Sequence, residues 1–230
     1  MQGTKILVID DDFELCQSIK IGLLKEGATV CTAHDGRAGV RLFHEYRPDL
    51  VLLDIRLPEM SGWEVCRQIR LLSDVPIVML TSLNKDNDIV RGLESGADDF
   101  VSKPCRHQVL VARLRAVLRR TEPLEQNHAT YDDGYLAVDL DKRQVCTDGE
   151  PVQLTSTEFR LFAYLFEHAG QILPYENILT NVWGWEYQDD TNYVQVYMSH
   201  LRRKIEQDAR RPVYLQNEHG VGYRFAKRDG

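Results

Sequence analysis

The 230-residue chain has no run of about 18 uninterrupted apolar residues, which excludes a membrane-spanning helix. It has no C-x-x-C pair either. Its five cysteines, Cys16, Cys31, Cys66, Cys105 and Cys146, are odd in number and scattered. That pattern argues against a disulfide scaffold or a zinc site, and a reducing cytoplasm is the expected compartment. The N-terminus carries only a four-residue apolar run, Ile6 to Ile9, before three aspartates. A signal peptide needs a longer apolar core and a small-residue cleavage site, so secretion is not expected. Positive charge is scarce. The formal net charge is −7, and residues 121–230 carry all of it, with 11 basic against 18 acidic side chains. A generally basic nucleic-acid binder is thereby excluded, and any contact with nucleic acid must rest on a few placed cations. Internal repeats and low-complexity segments are absent.

The first half does have a regular alternation. Short apolar runs at Ile6–Ile9, Ala28–Cys31, Leu50–Leu53, Ile77–Leu80 and Asp99–Val101 are separated by amphipathic stretches. Leu15, Ile19, Leu23 and Leu24 mark the first helix, with Asp12 as its N-cap. Val40 with Phe43, Val65 with Ile69, Ile89 with Leu93, and Leu110 with Leu114 and Val117 mark the others. Strands alternating with helices imply right-handed crossovers, so residues 1–120 predict an α/β doubly wound, five-stranded parallel sheet of flavodoxin-like order 2-1-3-4-5. Residues 121–128 are polar and aperiodic and read as a linker.

From 129 to 230 the pattern changes. Tyr135–Asp139, Arg143–Thr147 and Glu150–Leu154 are short strand candidates, and Asp148-Gly149 signals a tight hairpin. Thr155-Ser-Thr-Glu158 is a capping box ahead of a helix whose apolar face is Phe159, Phe162, Leu165 and Phe166. A short helix near Tyr175–Val182 and a longer one from about Asp190 to Glu206 follow. Residues 213–225 read as two strands around a glycine-bearing turn. Together these predict an α+β winged helix-turn-helix domain.

In open parallel sheets, ligands bind beyond the carboxyl ends of the strands. Strand 1 ends in Asp10-Asp11-Asp12, strand 3 in Asp54, strand 4 in Thr81-Ser82 and strand 5 in Lys103-Pro104. Clustered carboxylates need a cation, and an oxygen-only ligand set specifies a hard ion, Mg²⁺ before zinc. A carboxylate beside Mg²⁺ and a lysine is equipped to accept a phosphoryl group. The plainer reading is that Asp10 to Asp12 cap a helix and Asp54 sits in a turn. A rival reading is a haloacid-dehalogenase-like phosphatase with Asp10 as nucleophile, although Phe13-Glu14 departs from its motif and no cap-sized insertion is present.

On the 190–206 helix, Val194, Met198, Leu201 and Ile205 form the buried stripe. Opposite lie Asn192, Val196, Ser199 and Arg203, flanked by Gln195, His200 and Arg202. That face offers an amide for adenine, a methyl for thymine and a guanidinium for guanine or phosphate. A plain solvated face is the alternative.

The motifs Ile6-Leu-Val-Ile-Asp-Asp-Asp12, Leu52-Leu-Asp-Ile-Arg-Leu-Pro-Glu-Met-Ser-Gly62, Leu80-Thr-Ser82 and Gly96-Ala-Asp-Asp-Phe-Val-Ser-Lys-Pro104 resemble receiver domains of two-component response regulators. The second half resembles the winged-helix effector of the OmpR/PhoB subfamily. The resemblance implies a non-enzymatic, DNA-binding transcription regulator. Asp54 would accept phosphate from a sensor histidine kinase. Asp10, Asp11, Asp54 and the Arg56 carbonyl would hold Mg²⁺. Lys103, before a cis-proline, would pair with the phosphate, Thr81 would reach its oxygens, and Phe100 would be the aromatic switch. Trp183 and Arg202 would touch DNA phosphates, with a wing including His219 and Arg224 in the minor groove. A phosphorylated homodimer would use Arg91, Asp98, Asp99, Arg113 and Arg115, and RNA polymerase is a further expected partner. Two positions depart from the family pattern: Cys105 replaces a usual Phe, and Val109 replaces an acidic partner for Arg91. His219 stands where relatives often carry Arg. A regulator that binds DNA without phosphorylation remains an alternative.

Overall fold

The apolar runs of the first half become parallel strands: β1 (Lys5–Ile9), β2 (Thr29–Ala33), β3 (Leu50–Asp54), β4 (Ile77–Thr81) and β5 (Asp99–Ser102). The chain's computed structural model describes residues 1–81, 93–122, 129–187 and 190–228. Two units result, Met1–Arg119 and Arg120–Gly230. In the first, the sheet order is β2-β1-β3-β4-β5, all parallel, as the alternation predicts. Helices α1 (Phe13–Lys25), α2 (Gly36–Tyr46), α3 (Gly62–Arg70) and α4 (His107–Arg119) cover it. Because both faces are covered, the central strands are apolar throughout rather than alternating. Cys16, Ile19 and Leu23 of α1 and Leu110, Leu114 and Val117 of α4 pack with Val8, Leu52, Leu80 and Val101 in one core. Cys66 is fully buried in this packing, whereas Cys31 is only half-buried. Asp12 caps α1 by accepting from the Leu15 amide at 3.0 Å. Ser82, Ile89 and Arg91 lie outside the described residues, as do residues 123–128 of the expected linker.

The second unit opens with an antiparallel sheet, β6 (Thr130–Asp132), β7 (Leu136–Asp139), β8 (Gln144–Thr147) and β9 (Glu150–Pro151), in that order. Three-residue β6 is too short to carry a readable period. The strand expected over Glu150–Leu154 stops at Pro151, which has no amide to continue a ladder. Asp148 (φ 51°) and Gly149 (φ 78°) both take the left-handed conformation of a tight hairpin turn. Helices α5 (Ser156–Glu167), α6 (Tyr175–Val182) and α7 (Thr191–Ile205) follow. A second small sheet, β10 (Leu173–Pro174), β12 (Gly222–Phe225) and β11 (Leu215–Glu218), contains the terminal hairpin. Gly222 lets β12 approach β10, because a Cβ there would sit 1.9 Å from the Leu173 carbonyl oxygen. The capping box forms: the Glu158 amide donates to Thr155 Oγ1 and the Thr155 amide donates to Glu158 Oε2. Among the described residues no helix is long and apolar enough to cross a membrane.

Candidate functional site

Parallel strands deliver their C-terminal side chains to one edge of the sheet, and this edge is acidic. Asp10 follows β1, Asp54 ends β3, Thr81 ends β4 and Lys103 follows β5. One carboxylate oxygen from each of Asp10, Asp11 and Asp54 lies within 4.8 Å of the others. Asp10 and Asp54 are buried and Asp11 is exposed, so the cluster opens to solvent on one side. The Lys103 ammonium spans the pocket, 2.6 Å from Asp10 Oδ2 and 2.8 Å from Asp54 Oδ1. Backbone amides fix the two carboxylates: Asp12 donates to Asp10 Oδ1 and Arg56 donates to Asp54 Oδ2, each at 3.0 Å. The Lys103 amide donates to the Thr81 carbonyl and ties β5 to β4. The Lys103–Pro104 peptide is cis.

Burial pushes the Asp54 carboxyl above its ordinary range, and the neighbouring Asp10 charge acts in the same direction, while the hydrogen bond and charge of Lys103 oppose both. For Lys103, burial favours the neutral amine, but hydrogen bonds to Asp10 and Asp54 outweigh it, so its pKa is raised and the ammonium is kept. Thr81 and Phe100 are buried, and the Phe100 ring lies 6.4 Å from that of Trp63. The three consecutive aspartates do not share one job, since Asp12 caps α1 while Asp10 and Asp11 face the pocket. Oxygen-only ligands, one side open, fit a hard divalent cation that keeps some of its waters.

Two supports of this pocket escaped the sequence reading. His34 Nδ1 lies 3.1 Å from the Asp10 carbonyl oxygen and its ring stacks on Phe13 at 3.8 Å. Gly62 lies against the end of β3, where a Cβ would come 2.1 Å from the Asp54 carbonyl oxygen. The glycine after Met60-Ser61 was the available signal.

The described charges expected to bridge subunits, Asp98, Asp99, Arg113 and Arg115, are engaged within the chain. Asp98 is buried, 2.6 Å from Arg70 Nη2, and accepts from the Ile77 amide. Asp99 is buried, accepts from the Phe100 amide, and lies 3.4 Å from Arg113 Nη1. Arg115 pairs with Glu26 at 2.7 Å. Asp98, just before β5, and Asp99, its first residue, are thus buried rather than solvated surface charges. Val109 is exposed and Cys105 is half-buried.

On α7 the buried stripe Val194, Met198, Leu201 and Ile205 is as expected. The open face is not. Thr191, Gln195, Ser199 and Arg203 are exposed and Asn192 and Arg202 half-exposed, whereas Val196 and His200 are buried. At 100° per residue the open stripe is rotated by about 50° from the expected one. The cause is a second packing surface. Tyr193 and Tyr197 meet the Trp183 ring at 6.0 and 5.3 Å, and His200 Nδ1 approaches Glu158 Oε1 at 3.8 Å. The i, i+4 tyrosines were the missed signal. Trp183 itself is fully buried, so its indole is a core group rather than a phosphate contact; Trp185, two residues on, is the exposed aromatic.

Several cations of α7 and the wing already have partners within the domain. Arg202 donates to the Leu215 carbonyl through Nε (2.9 Å) and Nη2 (2.6 Å). Lys204 turns inward to Glu158 Oε2 (2.6 Å) and the Gln153 carbonyl (2.9 Å). Arg224 Nη2 pairs with Glu218 at 2.9 Å. Arg203 and His219 are exposed. The Glu206 carboxylate, also missed, accepts from the amides of Val213, Tyr214 and Leu215 and fixes the approach to the wing.

Comparison with known proteins agrees with this architecture. Residues 6–115 match the response regulator receiver domain and residues 149–225 match the C-terminal domain of transcriptional regulatory proteins. The chain is 42% identical over 220 residues to the transcriptional regulatory protein AfsQ1 of Streptomyces coelicolor, covering 96% of this chain and 97% of that one. Among solved structures, it resembles the response regulator DrrB, an OmpR/PhoB homologue of Thermotoga maritima, at 32% identity with a TM-score of 0.52, over 99% of this chain and 100% of that one. It also resembles a mutant form of RitR at 26% identity and a TM-score of 0.76, over 97% and 99% of the two chains. The chain thus belongs to the OmpR/PhoB response regulators, the two-component proteins that join a receiver domain to a DNA-binding winged helix.

Proposed function

We propose that Asp54 is the phosphoacceptor and that its phosphorylation, by a sensor histidine kinase, controls DNA binding by the winged helix. The observation that carries this is the Lys103 ammonium seated between Asp10 and Asp54 at the open end of the sheet. An Asp54 oxygen attacks phosphorus, the P–N bond to the donor histidine breaks, and the new acyl phosphate stays on β3. Asp10, Asp11, Asp54 and the Arg56 carbonyl would hold Mg²⁺, which supplies charge neutralisation for the transferred oxygens. Lys103 is placed to follow the phosphate, since its ammonium already lies on the Asp54 oxygen. Thr81, at the end of β4, would then be drawn toward the phosphoryl oxygens, and Phe100 on adjacent β5 would report that shift to the surface. Phosphorylation would bias an existing equilibrium toward a homodimer, raising the effective concentration of paired DNA-binding domains.

Asp10 is disfavoured as the nucleophile. It is fully buried, whereas Asp54 keeps 5% of its surface exposed. We place the protein in the cytoplasm, with double-stranded DNA as ligand and RNA polymerase as partner, and assign it no turnover chemistry beyond its own phosphorylation. On the DNA side, Gln195, Ser199, Asn192 and Arg203 of α7 would enter the major groove, and His219 and Arg224 would line the wing's contact. The test is acyl-phosphate mapping after treatment with acetyl phosphate and Mg²⁺. Label is expected on Asp54 and absent from Asp54→Ala; undiminished label in that variant refutes the assignment.

A further inference from the structure

The wing of this chain carries a carboxylate among the cations expected to meet DNA. In the β11–β12 hairpin, Gln216 stands opposite Arg224 and Glu218 opposite Gly222. Residues two apart on a strand share a face, so Gln216, Glu218 and Arg224 lie on one side. Arg224 Nη2 donates to Gln216 Oε1 at 2.9 Å and lies 2.9 Å from Glu218 Oε1. Gln216 is itself held, its amide donating to the Val213 carbonyl at 3.0 Å. Arg224 Nε is buried with no hydrogen-bond partner. Arg202 and His219 line the same concavity of about 500 Å³, in which Glu218 is the one carboxylate among the described lining residues.

Fold stability does not explain Glu218. A pair whose side chains are 35% and 31% exposed contributes little to folding, and the hairpin register is already set by its ladder and by Gly222. The larger effect is on the field that a phosphate meets. With Glu218 in place, the Arg224 charge is balanced before DNA arrives. A phosphate must then displace the carboxylate or sit beside it as a like charge.

We propose that Glu218 is a specificity-determining residue that restrains Arg224, weakening non-specific attachment of the wing more than binding at a cognate site. The proposal rests on the reading of Arg224 as a DNA-facing cation. Non-specific binding is almost wholly phosphate neutralisation, so it loses most when one cation is balanced internally. Cognate binding also has base contacts from α7 and tolerates the loss better.

The experiment uses the full-length chain, phosphorylated with acetyl phosphate, and fluorescence anisotropy on two duplexes. One is enriched from a random pool by the wild-type protein and the other is its scrambled counterpart. Glu218→Gln is expected to bind the scrambled duplex roughly three- to tenfold more tightly and the enriched one by less. Its log–log salt slope should steepen by about 0.9, the increment for one further phosphate neutralised. In Glu218→Gln/Arg224→Ala that gain should vanish. Gained affinity cannot arise from misfolding. If Glu218→Gln matches wild type in affinity and slope, the proposal is overturned. If adding Arg224→Ala to Glu218→Gln changes neither duplex, the underlying assignment of Arg224 fails on its own account.

Discussion

Removing the Glu206 carboxylate should loosen the wing from the recognition helix at a cost worked out from three hydrogen bonds. Glu206 caps α7, where the helix dipole disfavours a negative charge. It is nonetheless buried, because Oε2 accepts from the Val213 amide at 2.8 Å and Oε1 accepts from Tyr214 at 2.9 Å and Leu215 at 2.7 Å. Glu206→Ala leaves these donors without an acceptor. Tyr214 and Leu215 are fully buried, so water cannot replace the carboxylate at their amides without moving the segment. At about 1–3 kcal/mol for each of the two buried unsatisfied donors, and little for half-exposed Val213, the expected loss is about 2–6 kcal/mol. That is a large share of a domain stability of about 5–15 kcal/mol. Glu206→Gln keeps one acceptor oxygen but turns an amide donor toward other donors, so it should lie between wild type and alanine. Urea unfolding measures the total, and hydrogen exchange with mass spectrometry localises it. Protection should fall in peptides covering residues 213–218 and stay unchanged across β3. A loss under about 1 kcal/mol with unchanged protection at 213–215 would refute the reasoning.

His200 makes the winged helix acid-sensitive. Burial, followed by the nearby charges of Arg203 and then Lys204, lowers its pKa from 6.5 to about 4. The unfolded chain therefore binds this proton first, and stability is lost as pH falls from about 6.5 toward 4. Linkage gives about 2 kcal/mol less at pH 5 than at pH 7, a difference that urea melts of His200→Gln should lack. Lys103→Met removes the cation that competes for Asp10 and Asp54, so Mg²⁺ should bind the unphosphorylated protein several-fold more tightly by titration calorimetry; weaker binding would mean that Lys103 assists the metal. Gly62→Ala drives a Cβ into the Asp54 carbonyl oxygen, and phosphorylation by acetyl phosphate should slow at least tenfold while a substitution at exposed Leu71 leaves it unchanged. Trp183→Ala should cost about 3–5 kcal/mol of stability, as expected for a fully buried indole, with DNA affinity falling only through that loss.

The alternation of apolar runs and amphipathic helices determined the doubly wound sheet, because a strand buried on both faces has to be apolar throughout. It also determined the acidic edge: strand ends are visible in sequence, and Asp10, Asp54, Thr81 and Lys103 each stand at one. Capping signals were equally legible at Asp12 and at Thr155 with Glu158, since a cap is satisfied within four residues. Groups whose partners are distant in the chain were not legible. One helical stripe sufficed to find the core face of α7, but its open face depended on Trp183 and Glu158, which only the fold brings against Tyr193, Tyr197 and His200. Asp98 and Asp99 look like surface charges until the fold buries them against Arg70 and Arg113. Glu206 and Glu218 look ordinary in sequence, because the amides and guanidinium that give them their roles come from other segments. Sequence specified which groups are present and on which element, and tertiary packing decided which charges remain available to a ligand, because burial and pairing depend on neighbours that no local pattern encodes.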